Sequence, residues 1–142
     1  MKHEYLVMKL GHINGIDFYK EHLKVIEKYG YVDMARTGRK YLNFADLQEP
    51  YFYIKESAGG GNRLFRAQIG KSITGAKRVP DYYTKLSLSD ASWVRIISLE
   101  ETDKNKFLSE HTLKNGNEIK GLNQGAVSYF YIINKNENDS LT

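Results

Sequence analysis

The sequence predicts an α+β fold, a small mixed and mainly antiparallel β-barrel with flanking helices. Three observations carry this. Segments of strand character outnumber helical ones, only one helix of useful length is present, and a glycine-rich reversal joins two strands into a hairpin. A doubly wound sheet would need repeated crossover helices, which the chain lacks.

Tyr5-Leu-Val-Met-Lys-Leu10 predicts the first strand, closed by Gly11 and a turn at Asn14-Gly15. Asp17 then caps a helix over Phe18 to Tyr29, with Tyr19, Leu23 and Ile26 at helical spacing, Lys20, Lys24, Glu27 and Lys28 on the other face, and Gly30 as the stop. Tyr31-Val-Asp-Met-Ala35 predicts a strand before the polar turn Arg36-Thr-Gly-Arg-Lys40, and Tyr41 to Leu47 fits either a strand or a single helical turn. The hairpin comes next. Pro50-Tyr-Phe-Tyr-Ile-Lys55 and Arg63-Leu-Phe-Arg-Ala-Gln-Ile69 have aromatic, β-branched and alternating residues, and Ser57-Ala-Gly-Gly-Gly-Asn62 between them tolerates the positive φ of a reversal. A loop from Ser72 to Pro80 and Asp81-Tyr82-Tyr83 lead to a strand at Ser92-Trp-Val-Arg-Ile-Ile-Ser-Leu99. Asp103 caps a short helix through Lys114, ended by Asn115-Gly116, with Phe107, Leu108 and Leu113 inward. Val127-Ser-Tyr-Phe-Tyr-Ile-Ile133 is the last strand. Residues 1–133 thus form one predicted domain, with 134–142 a polar, flexible tail.

At 142 residues the chain can bury a core without disulfides or metals. It contains no cysteine, which removes disulfides, thiolate metal sites and a cysteine nucleophile. No apolar run approaches the ~20 residues that cross a bilayer, and Met1-Lys-His-Glu-Tyr5 does not resemble a signal peptide, so a soluble cytoplasmic protein without a membrane partner is expected. Lys and Arg number 21 against 17 Asp and Glu, a net charge of +4. The excess gathers in the middle of the chain, either as a solvated face or as a stripe that attracts phosphates.

No motif specifies a reaction. Gly70-Lys71-Ser72 resembles the end of a phosphate-binding loop, but Phe65 stands where that motif needs a glycine. The histidines His3, His12, His22 and His111 are spread over separate elements without metal-pair spacing; His12, in a glycine-flanked turn, reads as an exposed loop residue. Asp17 with Glu21 and Glu100 with Glu101 are explained by capping and solvation, and Ser57, Ser87 and Ser92 have no nucleophile elbow. A non-enzymatic protein without a cofactor is expected. The aromatics remain: 11 Tyr, 6 Phe and 1 Trp. Most serve as core, while Trp93, opening a strand beside the Tyr82-Tyr83 loop, is placed to stack on a base.

These segments together resemble the PUA-like superfamily, closest to its EVE branch. Tyr5-Leu-Val-Met-Lys9 is similar to that branch's first strand, and Pro50-Tyr-Phe-Tyr-Ile-Lys-Glu-Ser57 to its strand ending in a small polar residue. Leu64-Phe-Arg-Ala-Gln-Ile69 is similar to the returning strand, and Asp81-Tyr-Tyr83 with Ser92-Trp-Val-Arg-Ile96 to the loop and Trp-led strand, over most of residues 5 to 133. The resemblance implies a compact barrel whose pocket accepts a flipped or unpaired base, often modified, in DNA or RNA. Carried over by residue, it implies a base pocket of Lys9, Tyr53, Ser57 and Trp93, and the Tyr82-Tyr83 pair near Trp93 is expected in the same pocket. The basic residues Arg36, Arg39, Lys55, Arg63, Arg66, Lys71, Lys77 and Arg78 are the expected phosphate contacts. Alternative expectations are a phage or host-defence accessory acting through a protein partner, and a mononucleotide-binding protein.

Overall fold

A computed structural model describes residues 3–37, 42–57, 61–71, 75–120, 122 and 129–135. Among these residues the chain forms β1 (Glu4–Leu10), α1 (Phe18–Tyr29), β2 (Val32–Arg36), β3 (Tyr51–Glu56), β4 (Leu64–Ile69), β5 (Ser92–Thr102), α2 (Lys104–Glu110), β6 (His111–Leu113) and β7 (Tyr129–Asn134), with single 3₁₀ turns at Phe44–Asp46 and Asp81–Lys85. The segment that fitted either a strand or a helical turn therefore contains a 3₁₀ turn, started by the Asn43 side chain accepting from the Ala45 N–H.

The strands form one sheet in the order β2-β5-β4-β3-β1-β7-β6. Neighbours are antiparallel except β1 and β3, which run parallel because α1 and β2 lie between them in the chain. The expected barrel is not closed: β2 and β6 are edges that do not pair with each other. The physical reason lies in what occupies those edges. On β2 the Asp33 N–H donates to the Arg78 carbonyl at 2.7 Å and the Ala35 N–H to the Tyr83 hydroxyl oxygen at 3.1 Å, so its outward donors are already used. On the other side β6 spans only three residues. The sheet still curls strongly, since Arg36 on β2 stands 5.1 Å from the ring centre of Tyr129 on β7, four strands beyond its own neighbour.

Alternation along the central strands separates two apolar clusters. Leu6 and Met8 of β1 and Phe52 and Ile54 of β3 face one cluster with Phe18, Val32, Met34, Phe65, Val94 and Ile96. Tyr5, Val7 and Tyr53 face the other with Leu64, Phe107, Ile119 and Ile132. Strands covered on both faces read as unbroken apolar runs, which is what Tyr5-Leu-Val-Met8 and Phe52-Tyr-Ile54 are.

Helix α1 matches its predicted bounds. Asp17 Oδ1 accepts from the Lys20 N–H at 3.2 Å, and Gly30, at φ +86°, donates to the Ile26 carbonyl at 2.7 Å. Its buried face is not the Tyr19, Leu23, Ile26 stripe alone: Phe18 and His22 are the buried residues, flanked by Tyr19, Val25 and Ile26. Helix α2 is capped by Asp103 as expected, through the Asn105 and Lys106 N–H groups, but stops at Glu110 rather than Lys114. The free side of β7 supplies a ladder for His111–Leu113, and Asn115-Gly116 forms the turn after that strand instead of a helix end. No helix among the described residues is long and apolar enough to cross a membrane.

Candidate functional site

A cavity of about 300 Å³ opens where the end of β1, the end of β2 and the segment after Pro80 converge. Its walls include Lys9, Gly11, His12, Phe18, Arg36, Thr37, Tyr82, Tyr83, Leu86 and Leu88, and no carboxylate is among its described lining residues. A smaller adjoining hollow of about 40 Å³ does contain Glu56, whose carboxylate is bound by Arg63. Three expected site residues, Arg36, Tyr82 and Tyr83, thus meet at one cavity, and Lys9 borders it from the end of β1.

Arg36 is only 5% exposed, and burial lowers its pKa; a guanidinium nonetheless stays charged at any physiological pH. Tyr82 and Tyr83 pack edge to face with ring centres 5.0 Å apart. Burial pushes the Tyr82 hydroxyl up to about 12 and the Tyr83 hydroxyl higher still, so both rings are neutral.

Tyr83 is fixed by a chain of hydrogen bonds that also fixes a histidine tautomer. His22, fully buried, has Nδ1 2.9 Å from the Phe18 carbonyl, so Nδ1 carries the proton and donates. Nε2 is then the acceptor, and the Tyr83 hydroxyl 2.8 Å away donates to it while accepting from the Ala35 N–H. Burial depresses the His22 pKa to about 4, against small opposing contributions from the Phe18 carbonyl and Glu21. Sequence reading missed this residue. The signal was present in the spacing Phe18-x-x-x-His22, repeated as Phe107-x-x-x-His111, where His111 Nδ1 likewise lies 2.8 Å from the Phe107 carbonyl. Phe rings cover both histidines, at 4.2 and 4.6 Å between ring centres.

Trp93 is not on this cavity's wall. Its ring centre lies 6.3 Å from that of Tyr83 and it lines a separate groove of about 440 Å³ with Leu42, Phe44, Ile69, Lys71 and Arg95. Lys77 Nζ sits 3.8 Å from the indole centre. Arg95 is held in place by Asp33 through a two-pronged contact, Nε to Oδ1 at 2.8 Å and Nη2 to Oδ2 at 3.1 Å, under the Tyr31 ring. That buried pair too escaped sequence reading, since Asp33 and Arg95 are 62 positions apart and meet only through strand register.

The remaining expected site residues lie elsewhere. Tyr53 is buried against Phe107 and His111 in the second cluster, and burial pushes its hydroxyl up to about 12. The Ser57 N–H donates to the Leu10 carbonyl, tying the hairpin to the end of β1, and Ser57 lines neither the cavity nor the groove.

The basic residues divide by what already holds them. Lys55, 2% exposed, donates to the Glu56 carbonyl and to the Asn62 side chain; burial, then the Lys104 ammonium, lowers its pKa. Lys9 faces it in the β1–β3 register, on the sheet face of Val7 rather than Met8. Arg63 forks onto Glu56 at 2.6 and 3.0 Å and reaches Asp17 at 3.0 Å, joining the hairpin to the start of α1. Arg66 is exposed over Tyr51, at the second cluster. Arg78 lies over Tyr29 at 4.4 Å beside Lys77, Lys71 lines the Trp93 groove, and Arg39 lies outside the described residues. The predicted stripe is therefore dispersed: Lys55 and Arg63 are consumed inside the fold, Arg66 lies at the second cluster and Arg78 over Tyr29, while Arg36 lines the cavity and Lys71 and Lys77 flank the Trp93 groove. Comparison of the chain with protein-family models, curated proteins and solved structures gives no match.

Proposed function

We propose that this chain is a non-enzymatic nucleic-acid-binding domain. An unpaired or flipped base, in particular a modified one, enters the cavity beside Arg36, Tyr82 and Tyr83, and flanking phosphates meet Lys71, Lys77 and Arg78. One observation carries the reading: a cavity of about 300 Å³ walled by a nearly buried guanidinium and two neutral tyrosines, with no carboxylate in its described lining. That volume lies at the small end of ligand cavities, the size class of a base or mononucleotide. A guanidinium donates in a planar fork to base carbonyls, ring nitrogens or phosphate oxygens, and tyrosine faces stack on any base. Extruding a base costs a few kcal/mol, so a base that is already unpaired or weakly stacked is the favoured ligand.

The test is fluorescence anisotropy with labelled single- and double-stranded DNA and RNA, unmodified or carrying methylated or hydroxymethylated cytosine, at two salt concentrations. Salt-sensitive binding that prefers one base, with the preference lost in Tyr82→Ala and the affinity reduced in Arg36→Ala, supports the reading. No binding to any probe at low salt refutes it and leaves a protein partner as the reading to pursue.

A further inference from the structure

Resting on the base-binding reading, we propose that the Trp93 groove is a second base subsite, which takes the nucleotide adjacent to the one in the first cavity on the same single strand. The groove is the roomier of the two, about 440 Å³ against 300 Å³, and like the first it has no carboxylate among its described lining residues. Its charged lining is Lys71 and Arg95, the latter already committed to Asp33, so Lys71 and the overhanging Lys77 are the cations it offers an incoming anion. The complement of such a groove is a flat apolar group with a negative charge attached, which describes a nucleotide.

Spacing links the two sites. Tyr83 forms a wall of the first cavity and Trp93 a wall of the second, and their ring centres are 6.3 Å apart. This is about twice the 3.4 Å rise per nucleotide along one strand of a stacked duplex. The two sites therefore lie within reach of adjacent nucleotides on one strand.

Lys77, a side chain from an exposed segment, lies over the indole face. An arriving base replaces that ammonium over the ring, because stacking on an aromatic face outweighs an exposed cation–π contact. Lys77 is then released beside the phosphate that joins the two nucleotides.

Trp93 is the only tryptophan in the chain, so its emission reports on the groove directly. The experiment titrates the full chain with thymidine and uridine oligomers of one, two and five nucleotides and a pentamer with one abasic position, following Trp93 emission and oligomer anisotropy together. Trp93→Phe and Lys71→Ala are run in parallel, the latter leaving the reporter intact should the former disturb the fold. Affinity should rise about tenfold or more from one nucleotide to two, the worth of one stacked base, with Trp93 emission changing only for two or more. Oligomers that bind while Trp93 emission stays fixed and Lys71→Ala binds like the parent overturn the second subsite and leave the first cavity's role intact. No oligomer binding at low salt overturns both.

Discussion

Lowering the pH from 7.5 to 4.5 should destabilise this protein through His22 in particular. Its folded pKa of about 4 lies below the unfolded value of 6.5, so between those values the unfolded chain binds one more proton than the folded one. The contribution is complete above pH 6.5 and is lost as the pH falls toward 4. A separation of about 2.5 pH units at 1.36 kcal/mol per unit is worth about 3 kcal/mol, most of it gone by pH 4.5. The cause is burial, since His22 is fully enclosed; a proton on Nε2 would in addition set two donors against each other where it faces the Tyr83 hydroxyl. Urea unfolding followed by far-UV circular dichroism at pH 7.5, 6.5, 5.5 and 4.5 measures it, with His22→Gln as reference. The variant should be weaker at pH 7.5, and the gap should close as the pH falls, since glutamine has no proton to gain. Carboxylates titrating in both proteins cancel in the difference. Parallel pH profiles for the two proteins would refute the assigned tautomer and the hydrogen-bond chain built on it.

Asp33→Asn should cost about 3 kcal/mol in urea unfolding, because the Arg95 guanidinium is left against Tyr31 without its carboxylate. Gly30→Ala should cost roughly 1 to 2 kcal/mol, since φ +86° is strained for any residue with a Cβ, although a Cβ there meets nothing within 4 Å; a calorimetric Tm separates strain from crowding, as Gly30→Asn should recover part of the loss. Arg63→Ala should lower stability without changing the salt dependence of oligonucleotide binding, because its partners are Glu56 and Asp17, whereas Lys71→Ala should leave stability unchanged and flatten the slope of log K against log salt by about 0.7 to 0.9.

How much of this was legible depended on whether the cause was local. Helix α1 could be read to the residue because Asp17 and Gly30 are caps whose chemistry works at a distance of three or four positions. The hairpin and the Trp93-led strand were legible from alternation and turn residues for the same reason. Strand β6 was not: three residues carry no period, and His111–Leu113 are extended only because β7, encoded some 20 positions later, offers a ladder. Closure of the barrel failed as an expectation because the β2 donors are taken by Arg78 and Tyr83, residues 45 and 48 positions from the groups they bind. At the site, Tyr82 and Tyr83 were expected in a base pocket and Arg36 among the phosphate contacts of a basic stripe; that the three line one cavity depends on the fold. Trp93's separate groove and the loss of Lys55 and Arg63 to internal partners were decided by which face of the sheet each residue occupies, which a count of charges does not register.

Tyr83 serves two structures at once, closing the edge of β2 with its hydroxyl and forming a wall of the cavity with its ring. A residue with both duties constrains descent with modification. Replacing it to suit a different ligand would also expose an unpaired strand edge and strand His22, so a lineage changing its ligand cannot readily do so there. Tyr82, half-buried beside it and hydrogen-bonded to Tyr83 rather than to the β2 backbone, is where divergence in ligand choice should accumulate. A collection of related sequences should therefore hold position 83 steady alongside position 22, while position 82 varies with whatever is bound.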